Sequence, residues 1–63
     1  MNGTDTLLTV KDVALRLAVP VSWVYLKVES RELPFLKIGR YVRFEASAIE
    51  AFIERQRKNG GVR

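Results

Sequence analysis

The chain contains no cysteine and no histidine. Disulfide staples are therefore excluded, and so are the usual zinc sites, which need thiolate or imidazole ligands. No apolar run approaches the roughly 20 residues that cross a bilayer, so no membrane association is expected. The N-terminus lacks the basic-then-apolar layout of a secretory signal, and a cytoplasmic protein is the expectation. Also missing is any pairing of a nucleophile with a base, or any convergent set of titratable groups. No catalytic residue, cofactor, metal site or small-molecule ligand is therefore expected, and the chain does not read as an enzyme. Repeats and low-complexity segments are absent as well. Sixty-three residues make one domain, 1–63, with one small core. Without staples, so small a fold needs tight packing or a partner.

The chain does have an uneven charge. The net value is +4. Residues 1–35 balance Lys11, Arg16, Lys27 and Arg31 against Asp5, Asp12, Glu29 and Glu32. Residues 36–63 set Lys37, Arg40, Arg43, Arg55, Arg57, Lys58 and Arg63 against Glu45, Glu50 and Glu54, so they carry the whole excess. A one-sided basic surface suits a polyanion. A basic, merely soluble protein has the same composition.

The stretch Thr9–Arg31 organises the rest. Val10, Val13, Ala14 and Leu17 fall at i, i+3, i+4 and i+7, the apolar face of a first helix over Val10–Leu17. Thr9 caps it through its hydroxyl. Asp12 in the first turn suits the helix dipole. Either Leu7 or Leu8 can act as a hydrophobic staple. Pro20 fits N1 of a second helix running to about Ser30, because its missing N–H costs nothing there. In that helix Val24, Val28 and the stem of Lys27 share one face, while Ser22, Tyr25, Leu26 and Glu29 share the other. The second face does not belong in a core, and the pair reads as a helix-turn-helix. Ala14 supplies the small residue at the helix crossing, Ala18 the compact corner, and Val24 the branched apolar residue beyond it. Ala at the corner costs about 1 kcal/mol relative to Gly if φ is positive there. Lys27 stands where an aliphatic residue is usual, so Val28 carries more of the packing. An ordinary helical hairpin without a ligand is the alternative for this stretch. Trp23 either packs over the first helix or the wing, or forms a protein contact.

Pro34 ends helical tendency, and Phe35–Phe44, FLKIGRYVRF, reads as a hairpin. A two-residue loop, Gly39-Arg40, pairs Ile38 with Tyr41 and Lys37 with Val42, which mixes basic and apolar residues on both faces. A three-residue loop, Gly39-Arg40-Tyr41, pairs Ile38 with Val42 and Leu36 with Phe44 and turns all four inward. That register is the expectation. It places Lys37 opposite Arg43, a like-charge pair that disfavours the free hairpin and that an anion would relieve. Arg40 and Tyr41 project from the tip, in reach of a DNA backbone or a narrow minor groove. Charged strands also simply block edge pairing. The last element, Ala46 to about Arg57, carries the stripe Ile49, Phe52 and Ile53 and closes the core against the first helix and the hairpin. Glu45 or Ser47 starts it, and Asn59-Gly60-Gly61 stops it. The ordered core then spans about 7–57, with a flexible basic tail at 58–63.

In this order, LLTVKDVALRLAV, the WVY of the second helix, RELP, the KIGRYVRF wing and AIEAFI resemble the small excisionase-type and MerR-like winged helix-turn-helix proteins over Leu8 to about Ile53. The resemblance implies a mainly α (α+β) fold: three helices, with a two-stranded β-hairpin wing between helices 2 and 3. It also implies double-stranded DNA as partner, with the second helix in the major groove and the wing in the adjacent minor groove. Base readers map onto Val21, Ser22, Tyr25, Leu26 and Glu29, and wing contacts onto Lys37, Arg40, Tyr41 and Arg43. Phosphate contacts map onto the first helix at Thr9, Val10 and Arg16. The sequence departs from the pattern at Leu26 and Glu29, where Arg or Lys is frequent, and at Arg31, where Gly is frequent. Leu26 can touch a thymine methyl and Glu29 can accept from a cytosine amino group, but neither makes the bidentate contacts of Arg. Modest specificity from each protomer follows.

The implied function is that of an excisionase-like recombination directionality factor in a bacterial or phage-infected cell. It would bind sites cooperatively by side-by-side self-association and bend DNA with an integrase as partner. A small transcriptional regulator of the same fold is the alternative. From another class, so is a phage or plasmid protein–protein adaptor, such as a packaging or assembly subunit, contacting its partner through Trp23, Leu26 and Val21.

Overall fold

A computed structural model describes residues 6–60. The segment Met1–Asp5, read from sequence as loose, and tail residues 61–63 lie outside them. In chain order the elements are β1 (Leu7–Leu8), α1 (Val10–Leu17), α2 (Val21–Glu29), β2 (Leu36–Ile38), β3 (Tyr41–Glu45) and α3 (Ala46–Gly60). The architecture is the expected winged helix-turn-helix, with β2 and β3 forming the wing between α2 and α3.

Helix α1 starts where its sequence requires. Thr9 accepts from the Asp12 amide at 3.1 Å, and Asp12 returns the bond by accepting from the Thr9 amide at 3.0 Å. This reciprocal capping box satisfies two amides that the helix leaves without partners. The helix ends at Ala18, whose φ is +59°, the left-handed region. Ala18 then donates to the Leu15 carbonyl at 3.2 Å and Val19 donates to that of Ala14 at 3.0 Å. Those two bonds define a Schellman turn. The same device closes α2. Arg31 has φ +63°, and bonds run from Arg31 to the Val28 carbonyl and from Glu32 to that of Lys27, at 3.0 and 2.9 Å. Both sharp corners of the motif are therefore made by non-glycine residues in a conformation that favours glycine. Pro20 lies one position earlier than expected. It caps α2 with extended backbone (φ −69°, ψ 154°), and its carbonyl accepts the first helical bond.

The core consists of Val10, Val13 and Ala14 of α1, Val24 of α2, Leu33, Phe44 of β3 and Ile49 of α3. Val24, at the position expected to meet α1, is fully buried. Val28 packs against this cluster and Lys27 is only half-buried, so the division of labour expected in α2 is found. Leu33, treated from sequence only as part of a connection, is 1 % exposed. The Schellman turn at Arg31 directs the chain back so that Leu33 plugs the core before Pro34 leaves it. Trp23 also packs against the core, and its ring lies 5.4 Å from the Lys27 ammonium. Packing, rather than an open contact, is thus the fate of the tryptophan.

The sheet corrects two expectations. Leu7–Leu8 form a strand as well as approaching the first helix: Leu7 pairs with Glu45 and Leu8 with Phe44, giving the order β1-β3-β2. The Ala46 amide donates to the Thr6 carbonyl at 3.3 Å, which fastens the start of α3 beside this pair. The hairpin register is also different. Leu36 pairs with Arg43, Lys37 with Val42 and Ile38 with Tyr41, so the loop is the two-residue Gly39-Arg40. Gly39 has φ +63° and Arg40 is not left-handed, the pattern of a type II′ turn. The three-residue loop rested on burying four apolar residues together, but β2 buries none of its own. Leu36 is 38 % and Ile38 48 % exposed. Only β3 is anchored, by buried Phe44 and half-buried Val42. Lys37 and Arg43 consequently lie on opposite faces, and the like-charge pair inferred from sequence does not exist.

Helix α3 follows β3 without a gap and runs to Gly60, slightly past the expected end at Arg57. Its first turns pack on β3, and Glu50 is ion-paired with Arg16 of α1. Among the described residues no helix is long and apolar enough to cross a membrane.

Candidate nucleic-acid interface

Three elements meet around one open cleft of about 610 Å³. The beginning of α1 contributes Thr9, Val10 and Lys11. The first two turns of α2 contribute Val21 and Tyr25, and the wing contributes Arg40, Tyr41, Val42 and Arg43. The fold explains this convergence. The turn at Ala18 swings α2 across α1, and the antiparallel return of β3 beside β1 brings the wing back to the start of α1.

Three cations, Lys11, Arg40 and Arg43, rim this cleft. Arg43 is held in place from its own strand. Its guanidinium donates to the Val42 carbonyl at 2.8 Å and lies 5.3 Å from the Tyr41 ring centre. It is near enough to α1 to act on Asp12, whose carboxyl is held below the usual range. The Thr9 backbone amide is the main cause and the Thr9 hydroxyl the second, with the Arg43 charge a smaller contribution. Tyr41 is 57 % and Tyr25 53 % exposed, so two phenol side chains stand half-open at the cleft.

Of the residues singled out from sequence, Val10, Val21, Tyr25, Arg40, Tyr41, Arg43 and Thr9 line the cleft together. Ser22, Leu26 and Glu29 continue the exposed surface of α2 beyond it. Lys37 is exposed on the opposite face of the wing from Arg43. Arg16 is not brought to the cleft, because its guanidinium donates to Glu50. Thr9 does not offer a free amide to an anion either, since the capping box has engaged it. Sequence reasoning missed two cleft residues: Val42, which was read only as core-facing, and Lys11. Its neighbour Asp12 cancels it in a charge count, yet the two are about 100° apart around a helix, and that offset was the available signal.

Along α2 the basic character expected of a reading helix is absent from the exposed face. Lys27 is its single cation, and the Lys27 ammonium is bonded to Glu32 at 3.2 Å. The Glu32 carboxyl is itself held low, first by a hydrogen bond from the Ser30 hydroxyl and then by Lys27.

Searches against characterised proteins and against solved structures return no match. A family profile described as a helix-turn-helix domain does match, over residues 7–57, spanning β1 to the exposed half of α3. With that match over most of its length, two helices joined at a sharp corner and a wing beside them, the chain belongs to the excisionase-like helix-turn-helix domain family of small DNA-binding proteins.

Proposed function

We propose that α2 enters the major groove of double-stranded DNA while the wing tip follows the backbone into the adjacent minor groove. The observation that carries this reading is the shared cleft, where Lys11, Arg40 and Arg43 surround a concavity beside the exposed face of α2. A sugar-phosphate strand passing along its rim would meet Lys11 from α1 and Arg40 and Arg43 from the wing. Val21, Ser22, Tyr25, Leu26 and Glu29 then face base edges, Arg40, Tyr41 and Arg43 meet backbone and minor groove, and Val10 lies against the strand at the start of α1. Lys37, on the other face of the wing, adds longer-range attraction. Arg16, tied to Glu50, has at most an indirect part.

On this basis the chain acts as an excisionase-like directionality factor, binding beside an integrase and deforming DNA to favour excision. A transcriptional role would use the same surface. The test is a paired assay. Arg40→Glu with Arg43→Glu should abolish binding to DNA from around the chain's own gene, and, with an integrase encoded beside that gene, it should abolish excision as well. Lost binding with unchanged recombination would leave a transcriptional role. The adaptor reading draws on one observation, the 61 % exposure of Leu26 beside exposed Val21. It predicts that the charge-reversed variant keeps its partner.

A further inference from the structure

The exposed face of α2 combines two properties that together narrow what it can read. It is apolar: Val21 is 38 %, Tyr25 53 % and Leu26 61 % exposed on one side of the helix. It also has no free cation, since Lys27 is bonded to Glu32 at 3.2 Å and lies 5.4 Å from the Trp23 ring centre. Glu29 ends the face with the charge that phosphate repels, and among the described residues it has no ion-pair partner. The flank of the same face is cationic, through Lys11, Arg40 and Arg43. The matching surface must therefore carry phosphates at its edge and apolar, weakly polar groups at its centre.

In B-DNA the major groove offers one apolar group, the 5-methyl of thymine, while guanine offers two acceptors that call for Arg or Lys. Facing α2, those acceptors would be desolvated against side chains whose only donors are the hydroxyls of Ser22 and Tyr25, an unfavourable exchange. We infer that α2 reads thymine 5-methyl groups through Val21, Tyr25 and Leu26, so that preferred sites are thymine-rich, and poor in guanine, where the helix lies. This assignment rests on the DNA-binding reading above and specifies its substrate.

The experiment uses the full chain and a duplex enriched by it from a pool of random duplexes. Affinity for that duplex is compared with affinity for a copy in which deoxyuridine replaces thymidine, which removes the methyl and leaves the base pairing. Burial of one methyl predicts about a fourfold loss for each contacted thymine. Leu26→Ala and Val21→Ala, both at exposed positions outside the core, should shrink the ratio between the two duplexes. Arg40→Ala should weaken both duplexes equally and leave the ratio unchanged. Equal, salt-dependent binding of the two duplexes by the unaltered chain would overturn methyl reading while leaving DNA binding intact. No binding to any duplex at low salt would overturn the DNA reading, and this inference with it.

Discussion

At the scale of the residue, Ala18 is the most informative position. Its φ of +59° closes α1 and sets the angle between the two helices. A methyl group there costs about 1 kcal/mol relative to hydrogen, so Ala18→Gly should stabilise the fold by that amount. The gain corresponds to a rise of about 4–8 °C in Tm for a domain of this size, readable by thermal unfolding. Arg31 is in the same conformation, but its guanidinium also lies 5.9 Å from the Phe35 ring centre, so glycine there gives a smaller net gain. Asp12 makes a second prediction, in pH. Its folded-state carboxyl is held low by Thr9, so the capping box stabilises fully above the ordinary Asp range and loses its effect as pH falls through the lowered value. The advantage of the natural chain over Asp12→Asn in unfolding midpoint should accordingly be largest near neutrality and shrink below about pH 4.

At the scale of the element, the wing register can be tested by covalent trapping. The cysteine pair Lys37→Cys with Val42→Cys faces across the hairpin and should oxidise to an intramolecular disulfide. The pair Lys37→Cys with Arg43→Cys lies on opposite faces and should not. The reverse outcome would restore the three-residue loop. The helices were legible in the sequence because their partners are strict: the α1 stripe Val10, Val13 and Ala14 meets buried Val24, and a helical period admits no other face. The wing was not legible, because the rule used to choose its register assumes a buried face on both strands. Ile38 and Leu36 are exposed, so the alternation pattern favoured the wrong pairing, and the chain instead turns at left-handed Gly39 in a two-residue loop. β1 escaped notice because two residues display no period. Within the candidate site, the aromatic and basic wing residues and the α2 face could be named from spacing, whereas Lys11 and the diversion of Arg16 to Glu50 depend on how α1 and α3 sit around β3.

At the scale of the whole molecule, charge is divided between holding the fold and facing the cleft. The Arg16–Glu50 pair joins α1 to α3 with both side chains about half exposed, so Glu50→Gln should cost under about 1 kcal/mol and leave DNA affinity unchanged. Three cations rim the cleft, and neutralising three phosphates predicts a slope of about −3 in log K against log salt. Arg40→Ala should reduce its magnitude by about one. The sheet adds a dynamic consequence. Opening β2 frees no buried core residue, since Leu36 and Ile38 are already 38 % and 48 % exposed, whereas freeing Phe44 dismantles the core. Amide protons of Leu36–Ile38 should thus exchange with deuterium by local opening, and that of Phe44 only when the entire fold opens. A ligand that clamps the wing would slow the first class and leave the second bound to global stability, so protection of a three-residue strand becomes a gauge of engagement independent of any affinity.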